Sequence, residues 1–175
     1  EEINRILTDH ASDLLFAPTE ESSSRLRAEG IPADKIVRTG DVMLDAARCF
    51  GDIAREKSEI INELGPVAGE FALCTLHRAE NVDDRNCLES ILRGLEEVAQ
   101  SLRIVLPLHP RTRKRMMEFE LGEFVAAAGI TLIDPVGYLD MLRLQSEAAL
   151  ILTDSGGVQK EAFFQRTPCV TLRTE

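Results

Sequence analysis

Residues 71–81 read FALCTLHRAEN, a continuous apolar run that ends in a cluster of polar side chains. A parallel strand that is buried on both faces is expected to read as such a continuous run. Six further short runs of this kind occur along the chain, between segments with apolar residues at helical spacing. The seven predicted strands are Leu14–Ala17, Ile36–Arg38, Phe71–Leu76, Ile104–Leu108, Ile130–Ile133, Ala149–Leu152 and Cys169–Leu172.

Helical periodicity fills the segments between these runs. The predicted helices are Asn4–Asp9, Glu20–Glu29, Asp41–Leu64, Leu88–Leu102, Pro110–Phe119, Tyr138–Ser146 and Gly157–Phe164. Strands that alternate with helices of this length predict βαβ units with right-handed crossovers, and therefore an α/β fold with a doubly wound, Rossmann-like parallel sheet. We interpret the Gly- and Pro-containing segment Asn62–Gly69 as a loop within one domain that covers residues 1–175.

The composition limits the kinds of ligand and environment. Of 175 residues, 44% are hydrophobic and 29% are charged, which is typical of a globular protein. No apolar run is long enough to cross a bilayer, so we predict a soluble protein with no membrane partner. The net charge of −10 disfavours nucleic acid as a partner. A bound nucleotide remains compatible, because backbone amides and a few cations can hold a diphosphate on an acidic protein.

The cysteines and the chain ends indicate the compartment and the extent of the chain. Cys49, Cys74, Cys87 and Cys169 form no closely spaced pair, and three of them have the apolar neighbours of reduced core thiols. We therefore predict a reducing compartment, the cytoplasm. Because the sequence has no signal peptide or initiator Met and stops directly after an apolar run, we expect it to be part of a longer chain.

Polar side chains follow four of the predicted strands. His77 and Arg78 follow the third strand and His109 follows the fourth. Asp134 follows the fifth strand, and the segment 153–157 follows the sixth. Because an open parallel sheet binds ligands beyond the carboxyl ends of its strands, we expect the functional site there.

Residues 154–161, which read DSGGVQKE, carry the strongest local signal for a phosphate ligand. Gly156 and Gly157 at the start of a helix would let a diphosphate approach free backbone amides and the helix dipole. Ser155 could add a hydroxyl donor, and Glu161 could accept from a ribose diol. Alternatively, Asp154 or Ser155 only caps the helix, with Glu161 as a carboxylate that favours the dipole. The spacing is neither that of a Walker loop nor that of a dinucleotide fingerprint, which disfavours ATP and NAD.

His77 and Arg78 together could assist the departure of a phosphate leaving group. The alternative is a solvated histidine at a strand end beside an arginine in a surface ion pair. His109 could equally be an ordinary loop residue. The three histidines lack the spacing of metal ligands, so no metal site is predicted.

Several motifs, in order along the whole length, resemble those of the non-hydrolysing UDP-N-acetylglucosamine 2-epimerases. They are Glu1–Arg5, Asp9-His10, Leu15–Glu20, Thr39–Met43, His77–Asn81, Leu132–Pro135 and Leu152–Ala162. The resemblance implies a two-domain GT-B architecture, of which this chain is the nucleotide-binding C-terminal half. The N-terminal domain and the extreme C-terminus would then be absent.

The resemblance also implies a reaction: reversible epimerisation of UDP-GlcNAc to UDP-ManNAc at C2, by elimination and re-addition of UDP. It implies no cofactor, the N-terminal domain of the same chain as a partner, and a homodimer as a possible assembly. Since other catalytic carboxylates belong to the N-terminal domain, this chain alone should not turn over.

The resemblance assigns roles to particular residues of this sequence. The implied catalytic residues are His77 and Glu1. The implied substrate-binding residues are Arg78 and His109 near the diphosphate, Met141 against the uracil, Ser155, Gly156 and Gly157 at the diphosphate, and Glu161 at the ribose diol.

Two positions depart from the pattern of many bacterial members. Ala79 replaces an arginine, and Asp41 replaces an asparagine, so allosteric activation by UDP-GlcNAc is not implied. A GT-B glycosyltransferase with a nucleotide-sugar donor is the main alternative, because the fold does not separate the two reactions. A hydrolysing epimerase and a non-catalytic nucleotide-sugar sensor are further alternatives.

Overall fold

The computed structural model describes residues 2–65 and 68–173, and over these residues seven strands alternate with ten α-helices. The strands are β1 (Leu15–Ala17), β2 (Ile36–Arg38), β3 (Phe71–Thr75), β4 (Arg103–Pro107), β5 (Ile130–Ile133), β6 (Leu150–Thr153) and β7 (Cys169–Thr171). The helices are α1 (Glu2–Ala11), α2 (Glu20–Ala28), α3 (Val42–Lys57), α4 (Ile60–Leu64), α5 (Ala79–Val82), α6 (Arg85–Ala99), α7 (Pro110–Glu118), α8 (Gly122–Ala127), α9 (Tyr138–Glu147) and α10 (Gly156–Gln165). All seven predicted strands are present within one or two residues of their predicted bounds.

Five strands form one parallel sheet in the order β5-β4-β3-β6-β7. Along the chain, β4 and β5 are added on one side of β3, and β6 and β7 are then added on its other side. The order therefore reverses between β3 and β6, where Thr75 pairs with Thr153. A reversal of this kind leaves a crevice at the carboxyl ends of the two strands.

Helices cover both faces of the five-stranded sheet. Along β3, Phe71 and Leu73 belong to one apolar cluster, with residues of α4, α9 and α10. Ala72 and Cys74 belong to a second cluster, with residues of α6, α7 and α8. Alternate residues of a strand point to opposite faces, so the two clusters are the two sides of the sheet. The predicted α/β class with a doubly wound sheet is confirmed.

The two N-terminal strands lie outside this sheet. β1 and β2 form a separate parallel pair, and the chain divides into two compact units, Glu1–Ala46 and Ala47–Glu175. The division falls within α3 and not at the predicted loop 62–69. The prediction of a single domain over residues 1–175 stays a prediction, while the five-stranded sheet belongs to the second unit.

The structure divides one predicted helix and contains two short helices that were not predicted. The predicted helix Asp41–Leu64 is two helices, because Ser58 uses its hydroxyl to bond Asp140 at 2.6 Å and to accept from the Ile60 amide at 3.4 Å. Such side-chain bonds compete with helix continuation. The short helices α5 and α8 were not predicted, since a single turn gives no periodicity. Helix α4 runs to Leu64, so the loop starts at Gly65, and Pro66 and Val67 lie outside the described residues.

The expectation of three core thiols is wrong. Cys74 in β3 is fully buried, and burial raises the pKa of its thiol. Cys87 is partly buried, and Cys49 and Cys169 are exposed. The short apolar runs around these two residues lie at surface positions of α3 and β7. No helix among the described residues has the length and apolarity that a membrane span requires.

Candidate functional site

The site starts where the central strands β3 and β6 end side by side. His77 lies two residues beyond β3, and Asp154 follows β6 directly. The imidazole Nδ1 of His77 lies 3.0 Å from Oδ1 of Asp154. The two residues are 77 positions apart in the sequence, and the reversal of strand order places them together.

Asp154 is a fully buried carboxylate that accepts from several donors. The backbone amides of His77 and Arg78 donate to its Oδ2 at 3.0 and 2.8 Å. Asn81 Nδ2 donates to Oδ2 at 3.1 Å and also to the Leu172 carbonyl at 2.7 Å. A buried charge needs such partners, so Asp154 organises the turn from β3 into α5.

A second set of bonds fixes the turn after β6. The hydroxyls of Thr75 and Thr153 lie 2.6 Å apart within the sheet, and Thr153 Oγ1 accepts from the Ser155 amide at 2.9 Å. Ser155 is the N-cap of α10 and accepts from the Val158 amide at 3.4 Å. Ser155 therefore caps α10, whereas capping is wrong for Asp154, whose carboxylate faces the turn after β3.

Gly156 and Gly157 form the first turn of α10, directly after this N-cap. The first amides of a helix have no partner within it, and the helix dipole adds positive potential at this end. A Cβ at Gly156 would meet no atom within 4 Å, so open space adjoins this turn. The arrangement can receive an anionic group such as a phosphate.

Glu161 lies in the middle of α10, and only 8% of its surface is exposed. Gln145, which is fully buried in α9, donates from Nε2 to Glu161 Oε2 at 2.8 Å. Gln165 in turn donates to Gln145 Oε1 at 3.1 Å. Partial burial and the neighbouring Glu161 carboxylate raise the pKa of Tyr138. Glu161 is therefore a carboxylate held in a fixed orientation, beyond the first helical turn, and not a dipole-favouring residue of that turn.

A cleft of about 230 Å³ opens between these elements. Four predicted site residues line it: His77, His109, Met141 and Ser155. The rings of His77 and His109 have centroids 5.7 Å apart. The remaining wall is mostly apolar and includes Val136. The cleft thus joins polar groups at the strand ends to an apolar surface on which a flat ring could lie.

Other predicted residues lie beside this cleft or outside the described part. Arg78 is half-buried and uses its backbone amide to bond Asp154. Gly156, Gly157 and Glu161 lie on α10, whose residues Ser155 and Val158 border the cleft. Glu1 lies outside the described residues. Across 2–65 and 68–173, no three His, Cys, Asp or Glu side chains group as a metal site would require.

Sequence reasoning missed four residues of the site. The sequence assigns Asp154 no role beyond a possible helix cap after the sixth strand, and it assigns none to Asn81, Tyr138 and Gln145. Asp154 directly follows a buried strand, and Asn81 lies in the polar segment that begins two residues after β3, which is a usable signal. Tyr138 and Gln145 carried no such signal, because they occupy ordinary positions of a predicted helix.

The fold and the site define a doubly wound α/β domain with its crevice at the reversal of strand order, where domains of this kind bind ligands. Residues 1–175 match the family described as UDP-N-acetylglucosamine 2-epimerase. The chain belongs to this family. The resemblance on which the sequence prediction rested is confirmed.

Three relatives illustrate the similarity. A Methanococcus maripaludis protein named UDP-N-acetylglucosamine 2-epimerase homolog is 46% identical, over 99% of this chain and 48% of its own length. A Pseudomonas aeruginosa protein named UDP-2,3-diacetamido-2,3-dideoxy-D-glucuronate 2-epimerase is 48% identical, over 100% of this chain and 48% of its own length. The crystal structure of Methanocaldococcus jannaschii UDP-GlcNAc 2-epimerase in complex with UDP-GlcNAc and UDP superposes with a TM-score of 0.91. Its sequence is 45% identical, and the match covers 99% of this chain and 49% of that chain.

The chain spans about half the length of the curated relatives it matches. These relatives are named as epimerases or as an epimerase homolog.

Proposed function

We propose that this chain supplies the UDP-binding half of a UDP-sugar 2-epimerase. The observation that carries the proposal is the meeting of His77, Asp154 and the first turn of α10 at one crevice, in a chain of this family. The bound UDP and UDP-GlcNAc named for the M. jannaschii relative support the ligand class.

In this proposal the diphosphate lies against the first turn of α10. The amides of Gly156 and Gly157 donate to phosphate oxygens, and the Ser155 hydroxyl can donate while still accepting from Val158. Glu161 accepts from the two ribose hydroxyls, since Gln145 occupies one side of the carboxylate and leaves further lone pairs. Met141 in the apolar part of the cleft packs against the uracil.

His77 is the proposed catalytic group of this half. It would stabilise the charge that develops on the departing diphosphate, with Arg78 and His109 as polar contacts nearby. Glu1 is the proposed acidic catalytic residue at the start of the chain. We propose that the remaining acid and base groups belong to an N-terminal domain of the same protein.

The proposed reaction changes the configuration at C2 of the sugar. A base removes the C2 proton and the C1–oxygen bond to UDP breaks, which gives a glycal with a C1–C2 double bond. UDP then adds back at C1, and a proton is delivered to C2 from the opposite face. The residues of this half need no redox cofactor for these steps.

The identity of the sugar that is attached to UDP is the part of the substrate that the assay has to decide. The names of two similar relatives specify UDP-GlcNAc and a UDP-diacetamido-glucuronate, so the proposal takes UDP-GlcNAc to UDP-ManNAc as the reaction and the diacetamido sugar as a second substrate to assay. The residues that contact the sugar would include the N-terminal domain. We further propose a cytoplasmic protein that can form a homodimer, on the strength of the family alone.

The test is deuterium incorporation at C2. The full-length protein is incubated with UDP-GlcNAc in heavy water and without any acceptor. An epimerase incorporates deuterium at C2 and forms UDP-ManNAc, while a glycosyltransferase leaves the C2 proton in place. The same assay with the diacetamido sugar decides between the two substrates. Absence of deuterium from both sugars, in a protein that is folded, would reject the proposal.

A further inference from the structure

The two histidines of the cleft have different neighbours at the same ring atom, Nδ1. His77 Nδ1 faces Asp154 Oδ1 at 3.0 Å. Both oxygens of Asp154 already accept from amide donors, so a bare lone pair on Nδ1 this close to them would be repelled, and we infer that Nδ1 carries the proton. In a neutral His77 the lone pair is then on Nε2.

His109 has the opposite arrangement. It is the N-cap of α7, and its Nδ1 accepts from the backbone amide of Arg111 at 3.2 Å. A nitrogen that accepts cannot carry a proton in the same direction. In a neutral His109 the proton is therefore on Nε2.

We propose that the cleft holds its two histidines in opposite tautomers, with Asp154 as the positioning residue that sets the tautomer of His77. Both rings line the same cleft with centroids 5.7 Å apart. His109 then offers a fixed N–H donor at Nε2, and His77 offers Nε2 as the nitrogen that can gain or lose a proton. The assignment of tautomers rests on this chain alone, while the use made of them rests on the proposed function.

The surroundings of Asp154 suit this role. Its carboxylate is held by the amides of His77 and Arg78 and by Asn81, so it cannot turn away from the ring. Asp154 itself is fully buried, whereas the His77 ring is 41% exposed, so the carboxylate contacts the ring from the protein side of the cleft. The orientation of the imidazole is consequently set by the backbone of the β3 turn.

The two rings differ in what a second proton would do. A proton added to His77 goes to Nε2, and the contact of Nδ1 with Asp154 is kept. A proton added to His109 goes to Nδ1 and removes the acceptor of an amide in the first turn of α7. His77 can therefore exchange a proton with a departing or returning phosphate without rearrangement, and His109 serves as a constant donor.

The test is nitrogen NMR of the protein labelled with [¹⁵N]histidine, at a pH where the rings are neutral. Spectra of His77→Asn and His109→Asn identify the two rings. We expect a protonated Nδ1 in His77 and a protonated Nε2 in His109. A protonated Nε2 with a bare Nδ1 in His77, or the same tautomer in both rings, overturns the proposal.

Asp154→Asn tests the cause. Since an amide can either donate to or accept from Nδ1, we expect a mixture of His77 tautomers, an unchanged His109, and a roughly 10²–10⁴-fold lower kcat with a much smaller change in KM. Asn81→Ser removes another partner of Asp154 without touching the ring, and should leave the tautomer of His77 unchanged. A single unchanged tautomer in Asp154→Asn would refute the role of Asp154.

Two results separate this inference from the proposed function. If the tautomers are opposite but UDP does not bind, the inference stands and the proposed function fails. If UDP binds but the tautomers are the same, the reverse holds. Should Asp154→Asn not fold, the spectrum of the unmodified protein still decides whether the tautomers are opposite.

Discussion

The carboxyl end of the sheet has two regions that look alike in the sequence and differ in the structure. At the end of β3 and β6, Asp154 is fully buried and accepts from two backbone amides and from Asn81, with His77 Nδ1 at 3.0 Å. At the end of β4 and β5, Asp134 pairs with Arg113 at 2.6 Å, but their side chains are 89% and 47% exposed. One region is an interior polar network, and the other is a surface ion pair.

The position of the strands explains the difference. β3 and β6 are central strands with a neighbour on each side, while β5 is an edge strand of the sheet. Polar groups that follow central strands are covered by the flanking helices and must satisfy one another. Polar groups that follow an edge strand remain in water, where an ion pair contributes little to the free energy of unfolding. The polar residue after a strand is therefore buried and hydrogen-bonded at the reversal of strand order, and solvated at the edge of the sheet.

The largest expected difference between the two regions is in stability. Asp154→Ala would leave several buried donors without an acceptor, and we expect a loss of roughly 3 kcal/mol or more in the free energy of unfolding. Asp134→Ala should leave the denaturant midpoint nearly unchanged. Urea unfolding of both variants measures this. Equal losses in the two variants would remove the distinction between the regions.

The second prediction concerns turnover. His77→Asn in the full-length protein should lower kcat about a hundredfold or more and raise KM far less, because its contacts would strengthen in the transition state. Steady-state kinetics measures both constants, and melting temperature and UDP binding serve as controls for folding. A destabilised variant with nearly normal kcat would make His77 a structural residue only.

The third prediction concerns nucleotide affinity. Glu161→Ala should weaken UDP binding by roughly 1–3 kcal/mol, the range for a lost charge-assisted hydrogen bond. Calorimetric titration measures it. The matched control is Glu147→Ala, which removes a carboxylate of α9 that pairs with Arg143 at 3.0 Å. If the two variants bind UDP equally well, Glu161 does not contact the ribose.

The smallest expected effect is the pH dependence of the stability that Asp83 contributes through its ion pairs with Arg111 and Arg115 of α7. Hydrogen bonds from Arg115 and then Arg111 lower the pKa of Asp83. Its stabilising contribution is therefore fully present above the ordinary Asp pKa of about 3.9 and is lost as the pH falls through the lowered value. Thermal melting of Asp83→Asn and of the unmodified protein should differ slightly at neutral pH and converge in acid. A difference that grows on acidification would contradict this sign.

The fold was predictable from the sequence because buried parallel strands have a local signature. All seven apolar runs are strands, and the helix of residues 85–99 follows its apolar spacing. The pairing of strands was less accessible, since the separation of β1 and β2 from the main sheet depends on distant partners. The break between α3 and α4 likewise depends on Asp140, which lies 82 residues from Ser58.

Several residues of the candidate site could be predicted from the sequence, but the hydrogen bonds that orient them could not. His77, His109 and Ser155 share one cleft, as expected for residues at strand ends, and Met141 of α9, which the family resemblance assigns, lines the same cleft. The contact between Asp154 and the turn after β3 could not be read from the sequence, because it follows from the order of the strands. The orientation of Glu161 by Gln145 depends in the same way on the packing of α9 against α10.

The central claim is that a UDP diphosphate lies at the crevice between β3 and β6, against the first turn of α10. It is tested most directly by titrating UDP into [¹⁵N]glycine-labelled protein and following the amide signals. We expect the signals of Gly156 and Gly157 to move with increasing UDP, and those of Gly94 in α6 and Gly122 in α8 to stay in place. Saturation with UDP that leaves Gly156 and Gly157 unmoved, or moves all four glycines alike, would contradict the claim.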